Sequence, residues 1–200
     1  MKKAVFILSF LSTLLLIAGA AQAQTEIDLA FGVSGVHGTS FTNAEVSSGF
    51  FPQDVGGGAF PTFSGDFIFH RHIGIMGEVA WRATQNFSQS IAPFRPIFYD
   101  FGAIYAPPLG KHAALEVTTG IGGESIRFYT GTINCSFISC TDYVSSNHLL
   151  WQAGAGVRLY AWRNLFIRPE FRYYLIHDNF EFSSNHAFRA GASLGYSFGR

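Results

Sequence analysis

Eight stretches of this chain alternate apolar and polar side chains with a period of two, the pattern of a strand with two unlike faces. The stretch LFIRPEFRYYLIH, residues 165–177, shows it most sharply. Arg168, Glu170 and Arg172 take every second position, and Leu165, Ile167, Pro169, Phe171, Tyr173 and Leu175 fill the others. The same rhythm runs through IDLAFGVSG, FSGDFIFH, IMGEVAWRA, IFYDFGAIY, LEVTTGIGG, LLWQAGAGVRLY and FRAGASLGYSF. A soluble sheet turns its oily face to a core and its charges to water. A sheet in lipid does the reverse. Which side is wet decides the fold.

The N-terminus indicates export. Lys2 and Lys3 precede an apolar run from Ala4 to Ala18, and Ala21-Gln22-Ala23 fits a small-residue cleavage site. This is the pattern of a secretory signal peptide, too short and wrongly flanked for an anchor. The reading is a signal peptide over residues 1–23 and one domain over 24–200, which the remaining length permits. No later segment supplies the roughly 18 consecutive apolar residues of a spanning helix.

Composition sharpens the contrast with a soluble domain. Charged residues make up 13%, beside 22 Phe, 8 Tyr and 3 Trp, against about 25% charged in an ordinary soluble protein. Basic and acidic side chains number 13 each, and losing Lys2 and Lys3 tips the balance slightly negative. Nothing in that balance favours a nucleic-acid partner. Lys111 is the only lysine left after the leader.

Each alternating stretch holds about nine to eleven residues, the length of a tilted strand across a bilayer. The connections sort by length. Those at 70–74, 106–112 and 161–164 are short, whereas those near 37–58, 83–95, 130–147 and 177–186 are long and rich in Ser, Asn, Thr and Phe. Barrels of outer membranes have short periplasmic turns and longer external loops. In lipid every backbone N–H and C=O must be paired, so the sheet must close on itself. The expected fold is therefore all-β: an eight-stranded antiparallel up-and-down transmembrane β-barrel with both termini on the periplasmic side.

Closing the sheet turns the charged face inward. An eight-stranded barrel is just wide enough for side chains to fill it. The inward set predicted by parity is Asp66, Glu78, Asp100, Glu116 and Glu170 with Arg82, Arg158, Arg168, Arg172 and Arg189. Opposite charges in such numbers can pair, as a dry interior demands. The planar guanidinium suits the task by gripping carboxylates with two bonds. Trp81, Tyr99, Tyr105, Trp151, Tyr173 and Tyr196 take outward parity, several near strand ends where interfacial aromatics gather. Two positions disturb the pattern. Pro169 lacks a ladder donor, and parity in the fifth strand points Arg127 toward lipid unless a bulge at Gly122-Gly123 corrects it.

The chain resembles the small eight-stranded outer-membrane β-barrels of the OmpA/OmpX and opacity-protein type. The carriers are the Arg168-Pro169-Glu170 strand and the terminal RAGASLGYSF. That last stretch is similar to the family's assembly signal, matched by Arg189, Gly191, Leu194, Tyr196 and Phe198, although Gly199 and Arg200 follow where members usually stop at Phe. The resemblance implies residence in the cell outer membrane and no cofactor, and because the sequence ends with the strand no peptidoglycan-binding domain is expected to follow. It also implies a monomer, with outer-membrane lipids and the barrel-assembly machinery as partners.

Candidate chemistry outside the lumen is sparse. Cys135 and Cys140, in an exported chain, read as a local disulfide. His37, His148, His177 and His186 fall at external strand ends, and His70, His72 and His112 at periplasmic turns. They read as interfacial side chains, with a metal or lipid-headgroup contact as the functional alternative. A lipid-modifying enzyme would need His with Ser or an acid, for which His177 with Ser183 or Ser184, and His148 with Ser145 or Ser146, are candidates. The long loops, mixing Phe and Tyr with Ser, Asn and Gly, suit contact with an extracellular ligand or host surface. The expected role is a plugged barrel acting in adhesion or envelope integrity; the rivals are an outer-leaflet lipid-modifying enzyme and a narrow pore.

Overall fold

The computed structural model describes residues 25–38, 55–70, 72–85, 93–135, 140–178 and 185–199. Eight strands form one closed antiparallel barrel in sequence order. They are β1 (Glu26–Gly38), β2 (Phe60–His70), β3 (Ile73–Trp81), β4 (Phe94–Tyr105), β5 (Ala113–Cys135), β6 (Cys140–Trp162), β7 (Leu165–Ile176) and β8 (His186–Phe198). β1 and β8 close the ring, from Ile27 opposite Phe198 to Gly38 opposite Ala187. Closure leaves no sheet edge within the wall, which is what permits a sheet in hydrocarbon. Among the described residues no helix is long and apolar enough to cross a membrane.

The facing follows the sequence parity. Phe31, Phe101, Ile121, Leu149, Phe171 and Leu194 are exposed on the outer wall, while Asp28, Asp66, Glu116, Arg158, Arg168 and Arg189 are buried inside. A continuous oily belt of this extent is foreign to soluble monomers. Against acyl chains it is the natural surface. Gly154 shows why the narrow lumen needs small residues: a Cβ there would lie 2.6 Å from the Thr118 hydroxyl and 3.0 Å from Cγ of Arg172.

Two local expectations resolve differently. The β6–β7 ladder pairs Gly156 with Glu170 and resumes at Leu159 with Ile167, so Pro169 interrupts it without shifting register, while its β8 neighbour Ala192 stays in place. Gly122 and Gly123 carry no bulge. β5 keeps continuous register through them, with Gly123 opposite Leu149 and Glu124 opposite His148. Arg127 keeps outward parity because the strand has already passed the oily belt; its guanidinium lies 4.8 Å from the Tyr143 ring centre.

The third long connection is the main departure. Most of 130–147 is not loop: β5 and β6 each run 23 residues, about twice the length of their neighbours. β4 pairs with β5 up to Phe128, and β7 pairs with β6 only from Leu150 onward. Beyond those rungs the two strands continue as a two-stranded ribbon.

Candidate functional site: charged lumen and projecting ribbon

The lumen is filled in three layers. At the periplasmic end two small apolar groups close it, Ala30, Ala114, Tyr160 and Phe166 in one and Ile68, Met76, Ile104 and Ala106 in the other. The Tyr160 and Phe166 rings meet edge to face at 5.6 Å. At the external end Val36, Phe60, Phe94, Phe98, Ile126, Leu150 and Tyr174 form a larger apolar cap, with Phe98 stacked on Tyr174 at 5.2 Å. Val55, which precedes β2, packs into this cap, and the Gly57 amide donates to the Val36 carbonyl at 2.9 Å. Each large apolar side chain so buried contributes roughly 1.5–3 kcal/mol.

Between these layers lies one continuous ion-pair network. In its periplasmic half Arg158 donates through Nε to Glu116 at 2.8 Å, through Nη2 to Asp66 at 2.9 Å and through Nη1 to Asp28. Arg168 donates to the same Asp66 at 3.0 Å and reaches Glu116 at 3.3 Å. It also donates to the Ser64 hydroxyl at 2.5 Å. In the external half Arg172 sits 2.9 Å from Glu78 and 3.2 Å from Asp100. Arg189 donates to Glu170 at 2.9 Å and contacts Glu78. The Arg168–Glu170 pair, at 3.3 Å, joins the halves.

Strand geometry explains the grouping. Arg168, Glu170 and Arg172 project inward from alternate positions of β7, and Arg158 and Arg189 approach from β6 and β8 on either side. The other carboxylates face them across the lumen from β1 to β5. Multidentate guanidinium contacts offset the several kcal/mol that removing each ion from water costs.

Of the parity-predicted set, Asp66, Glu78, Asp100, Glu116, Glu170, Arg158, Arg168, Arg172 and Arg189 lie in this network. Arg82 lies elsewhere, at the external mouth, its guanidinium 5.8 Å from the Phe94 ring centre. Sequence reasoning missed Asp28 and Glu124, both buried. Asp28 was legible, since it falls between the outward Ile27 and Leu29. Glu124 was hidden by the supposed parity slip at the glycines. With Asp28 included, and Glu26 3.9 Å from Arg158 at the rim, seven carboxyls face four guanidiniums in the network among the described residues.

The ribbon is the second feature. Cys135 and Cys140 are joined by a disulfide at its tip, beside the paired Asn134 and Thr141. Tyr129 and Tyr143 meet edge to face at 6.0 Å lower down. Ile133 and Val144 are exposed. Among the external histidines, Nε2 of His148 lies 3.1 Å from the Ser146 hydroxyl, and His186 bonds the Tyr173 hydroxyl. His177 Nε2 lies 3.1 Å from Asp178; Ser183 and Ser184 lie outside the described residues. No group of His, Cys, Asp and Glu among the described residues could hold a metal ion.

On the lipid-facing strand β8, Leu194 and Tyr196 point outward and Gly191 packs against Ser34 of β1. Phe198, outward too, meets Tyr196 edge to face at 4.8 Å.

Residues 10–198 match the family described as Outer membrane protein beta-barrel domain. No curated protein matches the sequence. Among solved structures, Ail, the attachment invasion locus protein of Yersinia pestis, is similar with 14% identity and a TM-score of 0.58, over 88% of this chain and 99% of that one. Neisserial surface protein A matches with 10% identity and a TM-score of 0.61, over 88% and 98%. The N-terminal β-barrel domain of Pseudomonas aeruginosa OprF matches with 14% identity and a TM-score of 0.51, over 88% and 98%. At such identities these likenesses show a shared fold alone.

Proposed function

Because this chain belongs to the outer membrane protein β-barrel domain family, and so resides in the outer membrane, we propose that it acts as a surface interaction protein whose contacts are made by the ribbon and the external loops. The barrel is the scaffold. The single observation that carries this reading is the ribbon itself: among the described residues, β5 past Tyr129 has no strand partner but β6, and β6 before Leu149 has none but β5. An exposed pair of strand edges is a template for adding a partner strand. Exposed Ile133 and Val144 supply side-chain anchors beside it.

Charge narrows the partner. The external segments carry Glu45, Asp54, Asp142, Asp178 and Glu181 against Arg95 and Arg127. Ail has been solved with a heparin analogue, but this balance disfavours a polysulfated ligand and suits a neutral or basic polypeptide. The test is adhesion of bacteria producing either the full protein or a form with residues 130–145 replaced by an Asn-Gly turn. Wild-type retention on protein-coated surfaces, lost in the shortened form at equal surface abundance, supports the role. Equal retention refutes it.

One observation favours a second reading, an outer-leaflet lipid-modifying enzyme. Ser146 and His148 are in hydrogen-bond reach, and Glu124 stands opposite His148 in the β5–β6 register. Lipid A mass spectra altered by overexpression, and restored by Ser146→Ala, support it; unchanged spectra remove it. A pore is disfavoured by the three packed layers of the lumen, and conductance steps in planar bilayers would overturn that.

A further inference from the structure

At the opposite end of the barrel the β6–β7 hairpin turns through Trp162, Arg163, Asn164 and Leu165, with Trp162 and Leu165 paired. Only two residues make the turn. Arg163 adopts φ 38°, as a central residue of a two-residue hairpin turn commonly does. Its guanidinium is exposed, and among the described residues no carboxylate pairs with it. Trp162 beside it is 77% exposed, more than any outward aromatic of the wall. Asn164 is held in place, its side-chain amide donating to the Ser197 carbonyl at 2.7 Å and its carbonyl accepting from the Ser197 amide at 2.8 Å.

These side chains surround a cleft of about 420 Å³, lined by Trp162, Arg163, Asn164, Leu165 and Tyr196. Its position is informative. The apolar side runs without interruption into the lipid-facing belt at Ile167 and Leu194, both exposed on the same wall. The polar side, Arg163 and Asn164, lies at the short-turn end, where the periplasmic leaflet meets water. An unpaired cation above an acyl-facing cleft calls for an anion attached to a hydrocarbon chain. Arg recognises phosphate through two parallel N–H donors, and an indole settles at the headgroup level.

We propose that this cleft binds one phospholipid of the periplasmic leaflet, its phosphate held by Arg163 and its acyl chain lying along Leu165 and Tyr196.

The test is native mass spectrometry of the folded, detergent-purified protein with dioleoyl phosphatidylglycerol, with dioleoylglycerol, which lacks the phosphate, and with lipid A. The informative variants are Arg163→Gly, which removes the charge while suiting the positive φ, and Arg163→Gln, which keeps a long side chain. The wild type should retain one phosphatidylglycerol, about tenfold more tightly than either variant, with dioleoylglycerol bound weakly and equally by all three. Unheated gel mobility should be unchanged in at least one variant, and that variant carries the comparison. Equal retention of phosphatidylglycerol by wild type and variant overturns the proposal. So does dioleoylglycerol held as tightly as phosphatidylglycerol, or lipid A preferred over both.

Discussion

β5 and β6 pass through two environments, in one register as far as Tyr129 opposite Tyr143 and in a shifted one at the tip. In the wall, from Ala113 opposite Leu159 to Gly123 opposite Leu149, each strand has a neighbour on both sides, lipid on one face and the packed lumen on the other. Past the mouth, the same strands keep pairing as far as Cys135 opposite Cys140, but they have only each other. In the wall every position is constrained twice, by a face and by two ladders. In the ribbon a side chain answers to its cross-strand partner and to water. Two-stranded ribbons are marginal alone, so this one is held by its roots in the barrel and by the disulfide at its tip. Stability resides in the wall, and freedom to recognise a partner resides in the ribbon.

The largest expected effect breaks the wall's facing rule. Leu194→Asp or Phe171→Asp places a polar acid among acyl chains, which is destabilising at membrane depth, and should block insertion on an unheated gel. Ser193→Asp, one residue away, turns inward toward Nε of Arg168, now 3.2 Å from the Ser193 hydroxyl, and should fold. Equal behaviour of all three would contradict the facing.

Next comes the lumen. Arg168→Gln removes the cation that Asp66, Glu116 and Glu170 have in common, leaving Arg158 alone between the first two, and should cost several kcal/mol in a urea titration in micelles. Glu170→Ala, which takes a carboxylate from both Arg189 and Arg168 and leaves Arg189 with Glu78, should cost a similar amount. Asp66→Asn should cost less than either, because carboxyls outnumber guanidiniums here and Arg158 keeps Glu116 and Asp28. A larger loss in Asp66→Asn than in Arg168→Gln would show that the acid excess is not felt.

The ribbon should be the most forgiving. Replacing Cys135 and Cys140 together by Ser opens a small ring worth at most about 2 kcal/mol, and that loss should fall on the ribbon. The urea midpoint of the barrel should not move, while proteolysis between residues 130 and 145 should speed up. A displaced midpoint would mean that ribbon and wall unfold as one unit.

The same contrast explains what the sequence revealed. In the wall, burial of one face forces strict alternation, so LFIRPEFRYYLIH announces both its strand and its direction. Asp28, Arg158 and Arg189 obey the rule as well. The ribbon has no buried face to impose a period, and TGTINCSFISCTDYVSSN therefore reads as loop although it is largely strand. Its β-branched and aromatic residues, Thr, Ile, Tyr and Val, were the available signal. Arg127 misled for the same reason, since outward parity means lipid only at membrane depth. Arg82 was placed on the right face, but parity carries no information about height along the barrel.

The most direct measurement of the central claim is dilution of the unfolded chain from denaturant into plain buffer, detergent micelles and lipid vesicles, followed by circular dichroism and gels with and without heating. A barrel that is oily outside and ion-paired inside should gain strand signal and heat-dependent mobility only where micelles or lipid cover its wall. A monodisperse monomer with the same strand content in plain buffer would contradict it.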